Sequence, residues 1–449
     1  MSVGTVQQLA HDLREGRRDP VDLLAEVFDR IAAHGDPALF IRILRPRAEA
    51  EARAARERLR SGNPASLTDG VPMAWKDLFD LRGSVTTAGS TVLQGTAPAT
   101  ADAALVNAAM RVGMITVGTV NMTKFAYSGI GLNPHYGTPR NPRDRLVARS
   151  PGRSSSGSGA VVAAGIVPVS IGTDTGGLIR IPASFNGVVG YKTSVGHYPM
   201  EGVFPLSRSL DTLGLLAQTV ADCVLIDAAL RSLRAPVAEA TPMAALDFVI
   251  PDTLLMDDLS PAVAANFEAA VQRLTAAGAR VRQIALAELR EVAELMGRYG
   301  PLASVEAMDV HQERLNSPDA DRIDPCVVRR FRMADGMTAV DLIRLYRGRR
   351  DWIARINARL GHAILIGPTT PTVAMPTAPL EADVEVFFHH NFRTSRNAAI
   401  GNFLDWCGLQ VPSGQDSDAM PTGFMLCARH GHDREVLSAG LAIETLVRG

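Results

Sequence analysis

Residues 150–183 read SPGRSSSGSGAVVAAGIVPVSIGTDTGGLIRIPA. Taken alone, a Ser/Gly run of this kind is a flexible linker. Here it feeds straight into a small-residue helix (GAVVAAGI, 159–166), an apolar strand (VPVSIGT, 167–173) and a second glycine cluster, Gly172, Gly176 and Gly177. Unbroken apolar patterning on its C-terminal side sets the serines against packed structure, not between domains. A glycine-rich loop between two apolar runs lets backbone approach something closely or points several amides one way. Leu178 stands where that loop ends, and a leucine has no chemistry to offer.

Outward from this stretch, short apolar strands alternate with helices. VPMAW (71–75), MITVGTV (114–120), LDFVIP (246–251), VRQIAL (281–286) and AILIGP (363–368) read as strands. Helices are expected over 101–113, 220–232, 260–277, 338–360 and 434–448. Asp19-Pro20 is a helix start, a capping residue followed by proline in the first turn, and Gly35 is the matching stop. The alternation predicts an α/β fold with a largely parallel or mixed sheet covered by helices.

Composition narrows the function classes. The 449 residues are 46% hydrophobic and 21% charged with a formal net charge of −1. That is ordinary for a globular protein and argues against nucleic acid as the main ligand, since phosphate binding needs a basic excess. The Arg/Glu-rich segment 42–60 reads as a solvated helix face. Cys223, Cys326, Cys407 and Cys427 lie far apart with no metal-ligand or CxxC spacing, so reduced, mostly buried thiols and a cytoplasmic protein are expected. There is no signal-like apolar segment at the N-terminus and no membrane-length apolar run. No phosphate-loop or dinucleotide fingerprint appears either, so neither cofactor nor metal is expected.

Lys76 is the other conspicuous residue, closing an apolar strand in VPMAWKDLFDL. A lysine at the end of a buried strand is desolvated, which disfavours its charged form and frees the amine to act as a base.

Together, GVPMAWKDLFD (70–80), SPGRSSSGSGAVVAAG (150–165) and GTDTGGLIRIPASFNGVVGYK (172–192) resemble the amidase signature family. The flanking NMTKFAYSGIGLNPHYGTPRNP (121–142) and GPTTPTVAMP (367–376) look like members that cleave small amides and urea derivatives, and the resemblance spans nearly the whole chain. It implies the amidase-signature fold, a large mixed or mostly parallel twisted sheet with helices on both faces. It also implies an organisation of an N-terminal helical segment (1–65), a signature core (66–232), a helical or mixed insertion or cap (233–345) and a C-terminal part completing the core (346–449), together one large domain.

The resemblance further implies a Ser–cisSer–Lys triad. Lys76 would be the base, and Ser154, held by a cis peptide, the proton relay. The nucleophile position falls on residue 178, which is leucine here. Backbone N–H groups of Thr175, Gly176, Gly177 and residue 178 would form the oxyanion hole, with Ser155, Asp174 and Arg180 supporting the loop. A side chain at Gly176 or Gly177 would obstruct that cradle. Thr173 and Thr175 have no evident base of their own to replace the serine.

Leu178 has no lone pair to attack a carbonyl, so hydrolysis of a C–N bond by the family route is expected to be absent or severely impaired. Other departures lie nearby: Arg153 for a glycine, Lys124 for a glutamate and Thr193 for a proline. One change would look like deliberate inactivation, whereas several read as a natural relative that has drifted or been repurposed. The rival reading is a non-catalytic ligand-binding or partner protein. A further one is a glutaminase-type subunit of a transfer-RNA amidotransferase. Pocket walls are expected from Phe125, Ala126, Tyr127 and Ser128 and from 387–406, where His389, His390 and Arg393 are candidate polar contacts. Adjacent histidines face different directions, which disfavours a metal site. The expected partner is a small amide or urea-like molecule, not nucleic acid or membrane, with room for a homo-oligomer.

Overall fold

The strand ending in lysine and the strand before the glycine loop are neighbours. In the computed structural model, which describes residues 2–127 and 130–449, Pro72–Lys76 pairs in parallel with Val169–Thr173, Trp75 opposite Ile171. Every residue of both strands is buried, as their unbroken apolar patterning requires. In chain order the strands are β1 (Phe40–Ile43), β2 (Pro72–Lys76), β3 (Ile115–Val120), β4 (Val169–Thr173), β5 (Val189–Lys192), β6 (Leu213–Ala217), β7 (Asp247–Pro251), β8 (Arg280–Ile284), β9 (Ile364–Pro368), β10 (Cys407–Gln415) and β11 (Pro421–Ala428). They form one 11-stranded sheet in the order β1-β3-β2-β4-β6-β5-β10-β11-β9-β7-β8.

The sheet is mixed. Parallel ladders β3-β2-β4 and β9-β7-β8 lie toward its two flanks, and antiparallel pairs through β6, β5, β10 and β11 join them. β1, β5, β6, β10 and β11 have no counterpart in the sequence-based reading. β10 shows why: Pro412 and Gly414 interrupt its sequence, and the structure accommodates them at an irregularity in the β10–β11 register. Within 233–345, β7 and β8 belong to the sheet, while Glu288–Tyr299, Leu302–Leu315 and Pro325–Phe331 are helices.

Local signals hold where side-chain chemistry is local. Asp19 caps the helix Pro20–His34 by accepting from Val21 N at 2.8 Å, and Gly35 ends it in the left-handed conformation (φ 70°). The Ser/Gly run is packed chain: helix Ser156–Ala163 is buried along most of its length. A Cβ at Gly157 would fall 2.6 Å from the Asn121 backbone, and one at Gly159 2.7 Å from Asn186 Nδ2. Small residues here let the helix sit against its neighbours at backbone distance. All four cysteines are free thiols, three buried and Cys326 half-buried. No helix among the described residues is long and apolar enough to cross a membrane.

Candidate active site

Parallel pairing brings the carboxyl ends of β2 and β4 to one edge, the usual location of a site in such sheets. Lys76 there is fully buried, and its Nζ donates to Ser154 Oγ at 2.7 Å and to Thr173 Oγ1 at 2.6 Å. Burial pushes the amine down to about 7, against the opposing pull of the Asp211 and Asp174 carboxylates. Burial thus favours the neutral amine over the ammonium. A 15N NMR titration should place the Nζ transition near 7, with the amine neutral above that pH; a transition near the ordinary 10.5 would refute a desolvated lysine.

The cis peptide implied at Ser154 is not present: among the described residues no peptide bond is cis. Trans is the favoured state of a non-proline bond by about 2.5–4 kcal/mol. The segment is instead tied down by Arg153, whose Nη1 donates to the Gly176 carbonyl and so clamps the serine segment onto the glycine loop.

The loop after β4 is organised by Asp174. Its carboxylate accepts from Gly177 N (2.6 Å), Ile179 N (3.2 Å) and Arg180 Nε (3.1 Å), and Asn402 Nδ2 reaches both its backbone and side-chain oxygens. Burial alone would raise this carboxyl, but the Arg180 guanidinium, helped by Lys192 and the Asn402 amide, outweighs burial and holds it well below the usual carboxylate range. Ser155 Oγ donates to the Thr173 carbonyl at a long 3.4 Å. Gly177 N–H is therefore committed to Asp174 and is not free for an oxyanion. Among the described residues, the N–H groups of Thr175, Gly176 and Leu178 have no protein partner.

The steric demand on the glycines falls on Gly177. Its φ is 91°, and a Cβ would lie 2.6 Å from Ala398 Cβ and 2.7 Å from Ile181 Cδ1. At Gly176 a Cβ meets nothing nearer than Arg153 Nη1 at 3.6 Å. Gly177→Ala should cost about 1–3 kcal/mol or more, from backbone strain and overpacking together. Gly176→Ala should leave thermal unfolding nearly unchanged, and equal losses at both positions would contradict this account.

Thr175 has a carboxylate partner that the sequence did not reveal: Oγ1 donates to Asp211 Oδ1 at 2.5 Å. Thr173 likewise has the Lys76 amine. Asp211, 36 residues from Thr175, also accepts from Leu206 N and Ser207 N, and burial raises its pKa.

Above the loop lies a cavity of about 530 Å³ whose lining includes Tyr127, Arg153, Thr175, Gly176 and Leu178. Leu178 is 2% exposed and forms part of its wall. Ala126 and Tyr127 line it as well. Phe125 does not reach it: the chain turns through two left-handed residues, Phe125 (φ 53°) and Ala126 (φ 58°), and the Phe125 ring packs against His311 at 4.3 Å. Ser128 lies outside the described residues.

Residues 384–403 form a helix, and Phe392, Ser395, Ala399 and Phe403 present one helical face to the cavity. Arg393 turns away to pair with Asp258 at 2.8 Å. Lys124 is buried and ion-paired with Asp324 beside a different cavity. Sequence reasoning missed Leu206, Leu210, Met296 and Arg330, all on the cavity wall. The 392/395/399/403 spacing was a usable helical signal; Arg330 carries none.

Fold and site together put this chain on the scaffold of α/β amide hydrolases. It belongs to the amidase family, which it matches over residues 22–437. It is 35% identical, over 89% of its length and 87% of the other, to the 2-amino-5-chloromuconic acid deaminase of Comamonas testosteroni. It is 31% identical to a glutamyl-tRNA(Gln) amidotransferase subunit of Cupriavidus taiwanensis, over 99% and 96% of the two chains. A solved amidase crystal structure superposes with a TM-score of 0.88 at 30% identity, covering 99% of this chain and 100% of that one.

Proposed function

We propose that this chain keeps the amidase scaffold as a binding site for a small amide or urea-like molecule and does not cleave it through an acyl-enzyme on residue 178. Leu178 carries this reading. It stands on the glycine loop where the family resemblance puts the nucleophile, its side chain walls the cavity, and Lys76 and Ser154 remain hydrogen-bonded to each other. Acyl transfer needs a lone pair at that position, and an isobutyl group has none. The retained lysine–serine pair and the unpartnered loop N–H groups are the parts that would serve a nucleophile if one stood there. Thr175 faces the cavity, but its hydroxyl is held by Asp211, and this reading gives it a supporting role. By their names, the deaminase and the amidotransferase subunit work at amino or amide nitrogen, which supports the ligand class.

The test is ammonia release by the native chain from a panel of small amides and ureas, with binding followed by calorimetry. Binding without release above background is expected. Turnover in the range of about 1–1,000 per second, ordinary for an enzyme, would overturn the reading.

The similarity to an amidotransferase subunit supports a second reading, a glutaminase-type subunit working with partner chains. Leu178 stands against it as well, because freeing ammonia from glutamine by the family route needs the same nucleophile. Co-purification with partner subunits and transfer RNA would favour it.

A further inference from the structure

Among the described residues, the cavity lining includes two arginines and no acidic side chain to meet them. Arg153 is 4% exposed and, among the described residues, donates only to the Gly176 carbonyl and leaves its Nε buried without a partner. Arg330 gives Nη1 to Asn391 Oδ1 at 3.1 Å, lies over the Tyr127 ring at 4.1 Å, and also has a buried, unpartnered Nε. Among the described residues neither guanidinium forms an ion pair, whereas the neighbouring Arg180 has Asp174. Burial and the proximity of Arg330 act against the charged form of Arg153, and the Asp174 carboxylate, which does not pair with it, offsets them only in part. An uncompensated buried guanidinium is costly, and one with a spare donor is a ready fork for a planar anion. The rest of the wall is largely hydrocarbon, with Leu178, Leu206, Leu210, Met296 and Phe403.

We propose that the cavity selects an organic carboxylate, its anionic end held by Arg153 and Arg330 and its carbon chain laid on the apolar wall that includes Leu178. This rests on the reading above that the cavity is the ligand site, and it adds the feature of the ligand that the site chooses. Arg153 is central, because a glycine there would leave Arg330 alone and the serine segment unclamped. The guanidinium fork matches a carboxylate in two parallel N–H···O bonds, and the low-polarity surroundings strengthen both.

The experiment compares sodium hexanoate with hexanamide, equal in chain length and unequal in charge, by calorimetry on the full native chain at neutral pH. Hexanoate should bind at least about tenfold more tightly, the worth of a charge-assisted hydrogen bond or two. Arg330→Gln should lower hexanoate affinity by at least about tenfold and leave hexanamide within about twofold. Arg153→Lys, which keeps the charge and loses the fork, should weaken hexanoate by a smaller factor; thermal unfolding of each variant reports whether the fold is kept. Hexanamide binding with no preference for hexanoate overturns the carboxylate assignment alone, as does an unchanged preference in a folded Arg330→Gln. If neither probe binds, the cavity reading falls and this assignment falls with it.

Discussion

Leu178→Ser is expected to raise amide turnover by about a thousand-fold or more over the native chain, since removing the serine from a worked hydrolase costs on the order of a million-fold. A hydroxyl at position 178 would stand on the glycine loop, which Arg153, the residue before Ser154, clamps through the Gly176 carbonyl. The free N–H groups of Thr175, Gly176 and residue 178 would supply oxyanion donors without Gly177, whose N–H Asp174 already holds at 2.6 Å. Activity should rise with pH through about 7 and then level, because only the neutral Lys76 amine can take a proton. Lys76→Met added to Leu178→Ser should return turnover to background. The Arg153 clamp is a second barrier, so Leu178→Ser with Arg153→Gly provides a further variant. If both fold, bind a small amide and remain silent, the dyad does not serve residue 178 and the reading is wrong.

Arg180→Met should destabilise the protein by about 3–5 kcal/mol at neutral pH, the cost of leaving a buried carboxylate without its partner. Both members of the Arg180–Asp174 pair are fully buried. Arg180 Nη2 also donates to the Ala398 carbonyl (2.9 Å) and Asn402 Oδ1 (2.6 Å), tying the glycine loop to the helix that walls the cavity. The sign of the pH dependence follows. Asp174 has a depressed pKa in the native fold, so its contribution is present above the unfolded value of about 4 and is lost as pH falls. In Arg180→Met, Lys192 and the hydrogen bonds from Asn402, Gly177 N and Ile179 N are left to oppose burial without the guanidinium, so the carboxyl rises and protonation relieves it. Urea unfolding should therefore show the gap between native and variant narrowing as pH falls, starting where the raised carboxyl of the variant takes up its proton. Arg180→Met combined with Asp174→Leu should recover much of the loss. A deficit independent of pH, or one under about 1 kcal/mol, would mean the pair does not carry the loop.

Legibility in the sequence followed the range of the interactions. Lys76 was visible because it closes an apolar strand, and the Ser/Gly segment because a run leading into a helix and a buried strand is not a linker; the family resemblance singled out Ser154 within it. Asp174 and Arg180 stand close together in one motif, and their contact is six residues apart in the chain. The Asp211 partner of Thr175 was not legible: a single acid 36 residues away carries no pattern linking it to the loop. Nor was the commitment of Gly177 N–H to Asp174, which depends on how the turn closes and not on which residues it contains.

What the amino-acid order determined alone was the set of pieces: the strands of the two parallel ladders, the capped helices, a lysine, a serine segment and a glycine loop, with a leucine where the family resemblance puts the nucleophile. Periodicity and capping act between near neighbours, so near neighbours suffice to read them. Tertiary structure alone decided that Phe125 packs behind the cavity while Tyr127 lines it, that Arg393 faces Asp258, and that Arg153 and Arg330 share one apolar chamber. Those outcomes depend on chain segments many residues apart competing for the same space and the same counter-charge, and no local pattern records which of them wins.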